Sequence, residues 1–592
     1  MMEIQSTDRS VASQRRKEGA VEVNHIESVD DFHNVVYDDA EDEPELHIRT
    51  WIAVAALWVI NCVQFIALQG PPSLLTHIAA DLVGGSVSQT WIVNALVLPQ
   101  AVLAPILSSL SDTFQIRKSL VIISCLSGIV GAAIVPGSVG INRVIVGSAF
   151  TGGAIAHAPL TWAIGSEILP RRYRAYVQAA NTLATCLGGL VGPLIMGAFV
   201  QHDPQRGWRQ FFWVVLAIWA VTAIGVFVGY RPPKRRTRFD HLSVWQKIAS
   251  LDITGSSLLL AALTLMLVGI NLGGGLYSWQ NAHTLGPLVV GIVMVFVFAW
   301  YQWKGTTSGI LHHDLFVEGR GRYFSIYLAL IFIEGLMGFS YFTFYPIMEA
   351  VLFVTEPIRL VASQLPFWVA GGLFSFLWGA LSTRFKTIRE PLIAGFLIWT
   401  AGLVGLATIQ PGDYISSMAF SGLTGLGFGS PLFLAVVGVQ FVIPHHLLAT
   451  STALLFSTRA IGATIAVAIY SAALRDRLSV YLPRDVSKAV LSAGLPTTSV
   501  SAFIEHLFVS DIPGLADIAG VTPAVLAAGI AAFKQAYADA LRVVFIISAP
   551  FGVVAVILSF FVADIGHEMT YRVDAPVEEL HSKAHGAHKS EM

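Results

Sequence analysis

An all-α polytopic membrane protein is the fold class that this sequence predicts, and three observations predict it. Of its 592 residues, 54% are hydrophobic and only 12% are charged, against about 25% charged in an ordinary soluble domain. Apolar runs near the twenty residues that a helix needs to cross a bilayer recur along the chain. The short polar links between alternate runs carry most of the loop Lys and Arg residues, the bias that sets membrane topology.

Residues 1–50 form a polar tail with a basic cluster (Arg15, Arg16, Lys17) and an acidic run over 38–45; a disordered cytosolic tail is expected, because such a composition cannot bury a core. The first apolar run is expected to serve as its own insertion signal, since no cleavable leader precedes it. Six spans are predicted over 51–69, 90–110, 119–138, 142–162, 176–200 and 211–230, forming an N-terminal six-helix bundle over 51–230. The connector 231–251 is basic (Arg231, Lys234, Arg235, Arg236, Arg238, Lys247) and leads to two extra spans, 252–272 and 285–303, within 252–304. Six more follow over 323–348, 364–383, 391–410, 414–443, 448–474 and 541–562, making a C-terminal six-helix bundle over 323–563 and about fourteen spans in all.

With the amino terminus inside, the internal links carry Arg117 and Lys118, then Arg171, Arg172 and Arg174, then the basic connector, then Arg384, Lys386 and Arg389. Most external links hold few cations, Arg206, Arg209 and Arg359 being exceptions. Both ends of the chain are therefore expected in the cytosol. The long segment 475–540 is expected outside, with its apolar part, 522–532, as a surface helix too short to span. The tail 564–592, with His581, His585 and His588, is expected to be disordered and cytosolic.

A formal net charge of -2 offers no basic surface for nucleic acid. Cys62, Cys125 and Cys186 lie in apolar runs, where they pack as small hydrophobes. No metal-ligand spacing and no phosphate-cradling Gly-X-X-X-X-Gly-Lys loop occurs. No metal, no cofactor and no enzymatic centre is expected.

Span five carries the most informative stretch, NTLATCLGGLVGPLIMGAFV, in which Asn181, Thr185, Gly188 and Gly192 share a stripe, with Pro193 and Gly197 just beyond. Small residues let another helix come close, and a mid-membrane proline invites a bend. Ahead of it, LSSLSDTFQIRK links spans two and three and places Asp112, Arg117 and Lys118 at a helix junction. An acid at one helix end can meet neighbouring arginines and form a latch that breaks when helical units move.

Six spans, an insertion and six more spans read as a duplicated half, one route to alternating access. On these features the chain resembles the major facilitator superfamily, in its fourteen-span drug:proton antiporter branch. It is most similar to the group of the fungal trichothecene efflux pump, whose relatives include siderophore-iron transporters. Asp112, Arg117 and Lys118 match that family's Gly-X-Leu-X-Asp-Arg-X-Gly-Arg-Lys loop, although Ser108 and Gln115 stand where glycines belong. Arg143 and Gly147 match its Arg-X-X-X-Gly element in span four, and Gly188, Gly192, Pro193 and Gly197 its antiporter signature. SEILPRRYR (166–174) and WRQFFW (208–213) resemble the fungal subgroup.

The resemblance implies a major facilitator fold of two six-helix bundles plus two linker helices. It also implies a secondary active transporter that exports a hydrophobic toxin, secondary metabolite or drug against protons. A monomer in the plasma membrane, with lipid, protons and a small-molecule substrate as partners, is expected. A siderophore importer or a nontransporting receptor on the same fold stays open.

Where many relatives place an acid in span one, this chain carries Asn61 and Gln64. Glu334, deep in span nine, becomes the first candidate for proton coupling, because an intramembrane carboxyl is costly and functional by default. Gly338, Tyr341 and Tyr345 share its face. A structural hydrogen-bonding role for Glu334 stays open. His157 in span four is a second candidate, imidazole being the side chain that titrates near neutral pH. Asn61, Gln64, Arg143, Asn181, Tyr341, Tyr345, Gln440 and Arg459 are candidates to line the cavity, together with Phe342. For Arg143 and Arg459, snorkelling to an interface is the competing reading.

Overall fold

The computed structural model describes residues 43–84, 89–230, 243–273, 277–306, 320–354, 356–444, 447–508 and 518–574, and residues 309, 311, 315, 316, 515, 576 and 580 besides. The basic cluster at Arg15, Arg16 and Lys17, the connector arginines and the tail histidines lie outside these residues. Among the described residues, fourteen helices are long and apolar enough to cross a membrane. They are α1 (Ile48–Ser73), α2 (Trp91–Phe114), α3 (Arg117–Ile134), α4 (Ile141–Ile168), α5 (Arg171–His202), α6 (Gly207–Gly229) and α7 (Val244–Gly273). Then come α8 (Ala282–Gly305), α9 (Gly321–Leu352), α10 (Pro357–Phe385), α11 (Arg389–Leu406), α12 (Tyr414–Val442), α13 (Leu448–Ser492) and α14 (Pro523–Ser559). Phe227, Phe296, Val293 and Ile557 stand exposed on the outward faces, a surface suited to lipid and costly in water.

The chain builds the same bundle twice. In the first half α1 packs on α5, α3 on α6, and α4 on both α2 and α3; in the second α9 packs on α13, α11 on α14, and α12 on both α10 and α11. Both halves also break one helix at the same place. α4 is interrupted at His157, ahead of Pro159, and α12 at Gly429 and Ser430, ahead of Pro431, each proline lacking the N–H that would continue the ladder. The α2–α3 and α10–α11 links both turn through a left-handed residue, Gln115 (φ 55°) and Lys386 (φ 52°). That backbone explains why a glycine is expected at the position of Gln115.

Trp208, Trp219, Ile60 and Val144 fill the core of the first half, and Tyr327, Phe344, Trp399 and Phe545 that of the second. Two seams join the halves, α5 against α10 and α2 against α13. α7 and α8 pair with each other, and α7 leans on the second seam at α2 and α13.

Close helix contacts rest on missing side chains. A Cβ on Gly192 would lie 2.7 Å from the Ile66 carbonyl oxygen, and Gly188 faces the Cys62 carbonyl, so α5 seats α1 backbone to backbone. α5 runs as one helix through Pro193.

Glu43 accepts a hydrogen bond from the Tyr173 hydroxyl (3.0 Å), and Asp574 bonds Arg171. The two ends of the described chain therefore share one face, the terminal face. The opposite, loop face carries a projection that differs from expectation. Residues 475–540 are no free loop with a separate surface helix: α13 continues to Ser492, α14 begins at Pro523, and the short helix Val500–Phe508 packs between them. Leu478, Leu482, Val486 and Val490 recur every fourth residue and are buried with Phe503 and Val525, giving this stalk its own core. Lys534 and Arg542 of α14 bond the carbonyls of Leu352 (2.7 Å) and Ala407 (3.0 Å), cations at the carbonyl ends of α9 and α11. The disorder expected after residue 563 is also corrected, since residues 564–574 are held against the α4–α5 turn.

Candidate functional site

The interior holds a continuous polar chain built from side chains that hydropathy alone would count as cost. Asn61 of α1 donates to Asn181 of α5 (3.1 Å) and accepts from the Trp162 indole of α4 (3.0 Å). Asn181 donates to Gln178 (2.9 Å), and Gln178 donates to Ser166 (2.6 Å). Ser166 then donates across the midline to Gln440 of α12 (2.6 Å). Every member is buried, so each bond satisfies a group that would otherwise be left unpaired away from water. Three of the sequence candidates, Asn61, Asn181 and Gln440, thus fall into one network that ties the halves together.

Arg174 extends this network to the terminal face. Its guanidinium donates to the Gln440 carbonyl (2.7 Å) and the Ser166 carbonyl (3.2 Å) and pairs with Asp574. Arg171 pairs with Asp574 (3.0 Å) and Glu568 (3.1 Å), and Arg172 bonds the Tyr571 hydroxyl (2.7 Å). The backbone N–H groups of Arg171 and Arg172 donate to the carbonyls of Arg572 (2.9 Å) and Thr570 (2.8 Å). A strap that leaves the second half after α14 therefore closes over the first.

At the α2–α3 junction the structure adds a partner that sequence reading passed over. Arg117 pairs with Glu167, which is 1% exposed, and with Asp112 (3.3 Å), while Asp112 accepts from Thr450 of α13 (2.9 Å). Lys118 stands apart: it bonds the Phe227 carbonyl (2.6 Å) and lies over that ring.

Deeper in the membrane, Glu334 of α9 pairs with Arg459 of α13, one guanidinium nitrogen lying 3.1 Å from the carboxylate. Glu334 is wholly buried and Arg459 is 12% exposed. The backbones meet there at Gly335, which faces the Arg459 carbonyl, and Gly462, where a Cβ would lie 2.5 Å from the Phe332 carbonyl oxygen. Arg459 is thus neither a lone cavity charge nor a snorkelling one. A charge-paired carboxylate in lipid trades desolvation against attraction, and removing either partner strands the other.

Beside the α5–α10 seam lies an aromatic group. Phe342 stacks on Trp368 (5.4 Å) and Tyr341 on Phe367 (4.1 Å), and Trp368 sits against Gly189, one turn from the Gly192 contact. Gly197 faces Val361 and Ile358, so the glycine-rich stripe of α5 serves α1 on one side and α10 on the other. The indole N–H of Trp368 and the amide nitrogen of Gln64 are buried with no hydrogen-bond partner among the described residues. Apolar walls with a few such polar groups suit an amphipathic guest. Tyr345 lies further toward the loop face, where its hydroxyl donates to the Ser363 carbonyl (3.1 Å).

Two candidates fall elsewhere. Arg143 is exposed and bonds the Ile134 carbonyl (2.9 Å), capping the end of α3 rather than lining a cavity. His157 is buried in the first half at the break of α4, with Nδ1 on the Ala154 carbonyl and the ring beside Trp219 (6.3 Å). Among the described residues no cluster of three or more metal-ligating side chains occurs. On the loop face WRQFFW ties connections together: Trp208 bonds Asp81 (3.1 Å) and Arg209 the Ser138 carbonyl (2.8 Å).

The fold is shared with solved major facilitator transporters. The proton:xylose symporter XylE superposes with a TM-score of 0.53 at 10% identity, over 88% of this chain and 99% of that one. In sequence, the MFS-type transporter TwmF of Talaromyces wortmannii is 25% identical over 83% of this chain and 85% of its own length. The MFS-type efflux pump MMF1 of Mycosarcoma maydis is 25% identical over 79% and 74%. The sequence model described as fungal trichothecene efflux pump (TRI12) matches residues 36–589. A fold of two like bundles, sealed on one face and matched to that model over almost its whole length, places this chain in the fungal trichothecene efflux pump family of major facilitator transporters.

Proposed function

We propose that this member exports a hydrophobic or amphipathic small molecule, a toxin or other secondary metabolite, in exchange for protons. The observation that carries the reading is the Glu334–Arg459 pair, a buried carboxylate held by a cation between two helices of the second half. A cargo bearing a hydrogen-bond donor engages the ionised Glu334 carboxylate, and a proton arriving there neutralises it and removes that acceptor, so proton and cargo compete for one site. The aromatic group around Phe342 and Trp368 supplies the apolar wall, with the Trp368 indole as an orienting donor. The names of the relatives, efflux pumps and MFS-type transporters, support export.

Alternating access fits the wiring: α1–α6 rock against α9–α14 about the α5–α10 and α2–α13 seams. The bonds of Asp112, Arg174 and Gln440 hold the terminal face shut in this conformation. By the positive-inside argument that face is cytosolic, which puts both ends of the chain inside a plasma membrane and makes the sealed state outward-directed. The transporter acts as a monomer, each chain holding a complete pathway.

The test is uptake of a tritiated trichothecene into inverted plasma-membrane vesicles with an imposed pH gradient. Wild type is expected to accumulate label and to lose it on addition of a protonophore, and Glu334→Gln to lose gradient-driven accumulation. Full gradient-driven accumulation by Glu334→Gln would overturn the assignment of Glu334. Accumulation by wild type that ignores the protonophore would overturn proton exchange itself.

A further inference from the structure

Glu349 lies four turns beyond Glu334 on α9, three residues before that helix ends at Leu352. It is fully buried. Ser417, in the first turns of α12, donates its hydroxyl to one carboxyl oxygen, while the other has no hydrogen-bond partner among the described residues. The Tyr345 hydroxyl lies 3.3 Å from Ser417 Oγ. One turn deeper, Tyr341 stacks on Tyr345 (4.7 Å), and its own hydroxyl meets Ser421 of α12 at 2.6 Å.

Tyr345 and Tyr341 are on α9 itself, Asp413 and Tyr414 at the start of α12, Tyr470 on α13 and Lys534 on α14. Lys534 is engaged with the Leu352 carbonyl, and Tyr470 with the Leu336 carbonyl (3.3 Å). Among the described residues no Lys, Arg or His lies within ion-pairing distance of Glu349. This sets it apart from Glu334, which has Arg459. Burying an uncompensated carboxylate costs far more than burying the neutral acid, and a buried carboxyl with no cation beside it is the natural seat of a proton.

We propose that Glu349 is a second proton-binding site, one turn from the loop face, that heads a ladder of hydroxyls (Ser417, Tyr345, Tyr341, Ser421) descending the α9 stripe toward Glu334. This deepens the proton-exchange reading and rests on it. Hydroxyl groups both donate and accept, so a proton can be passed along such a ladder with each oxygen returning to neutrality. Tyr341 is two turns from Glu334 on the same stripe, about 10 Å along the helix axis. Glu349 would take the proton as the loop face opens and hold it while the site is closed.

The experiment needs no cargo. Purified full-length protein in lipid nanodiscs is stepped between acid and alkaline buffer under infrared difference spectroscopy, which reads the carbonyl stretch of protonated carboxyls. The wild-type band sums every carboxyl that titrates, Glu334 among them; Glu349→Gln should remove one component that Glu334→Gln keeps, and Ser417→Ala should shift that component by removing the hydrogen bond while the group still titrates. A band that survives intact in Glu349→Gln, or that Ser417→Ala leaves unmoved, overturns the proposal. Should Glu349→Gln fail to fold, Ser417→Ala decides. Failure of proton exchange itself would be read separately, as protonophore-insensitive accumulation by the wild type in vesicles.

Discussion

Arg174 and Asp574 form a buried ion pair that joins the first turn of α5 to the strap that follows α14. The two belong to different halves of the transporter, and their side chains are 1% and 5% exposed. The pair is therefore a structural element of the closed terminal face.

Replacing Asp574 with alanine leaves Arg174 with no carboxylate partner, only two carbonyls and the Phe441 ring, and leaves Arg171 with Glu568. Stranding one member of a buried pair costs about 3 kcal/mol. The strap 564–574 is expected to lose hydrogen-exchange protection and the terminal face to open more often. Mass-spectrometric exchange on the full protein reads the first, and alkylation of a cysteine placed at Ser451, buried on that face, reads the second.

Breaking the deep pair should be worse than removing it. Arg459→Gln leaves Glu334 without its cation and is expected to lower thermal stability in detergent more than the double variant Arg459→Gln with Glu334→Gln. A double-mutant cycle on melting should return a coupling of about 3 kcal/mol.

At the α1–α5 contact, Gly192→Leu sets a branched side chain where even a Cβ would lie 2.7 Å from a carbonyl oxygen. Overpacking of this kind costs about 1–3 kcal/mol. Reduced surface expression and a lower melting temperature are expected, whereas Gly225→Leu, with nothing within 4 Å of its Cβ, should be silent.

Asn61→Leu removes the donor to Asn181 and the acceptor of Trp162. Two buried groups are left unsatisfied at about 1–3 kcal/mol each, and efflux of tritiated trichothecene from intact cells is expected to fall. Asn61→Asp restores an acceptor for Trp162, and should retain more protein in the membrane than Asn61→Leu by immunoblot.

The spans were legible because the bilayer enforces a length and a composition, and the halves because six spans stand on either side of a basic connector and two more. Boundaries were less so. Hydropathy ends a span where charge begins, so the outer reaches of α13 and α14 passed for a loop, although Leu478, Leu482, Val486 and Val490 already carry a four-residue period. The same cut at Met348 hid Glu349 by one residue. Asn61 and Asn181 could be nominated individually, but their contact depends on α1 lying on α5, which no local pattern states. Glu167 stood inside a recognised motif without a role, since its partner Arg117 lies in a different link. Asp574 sits in a polar stretch whose composition reads as a free tail; only the facing arginines order it. Lys118 and Arg143 carried charge in the right motifs, yet a carbonyl at a helix end was the nearer partner for each.

The stalk on the loop face rides on one half alone, rooted in α13 and α14. At 1.5 Å per residue, the 45 residues of α13 measure about 68 Å, more than twice the thickness of the hydrocarbon core. Roughly half of that length is a rigid lever arm, and any tilt of the bundle beneath it sweeps the tip through a proportionately larger arc. A fluorophore near Gly494 would turn the reorientation of a single molecule into a signal readable on the loop face, with nothing attached to the pathway itself.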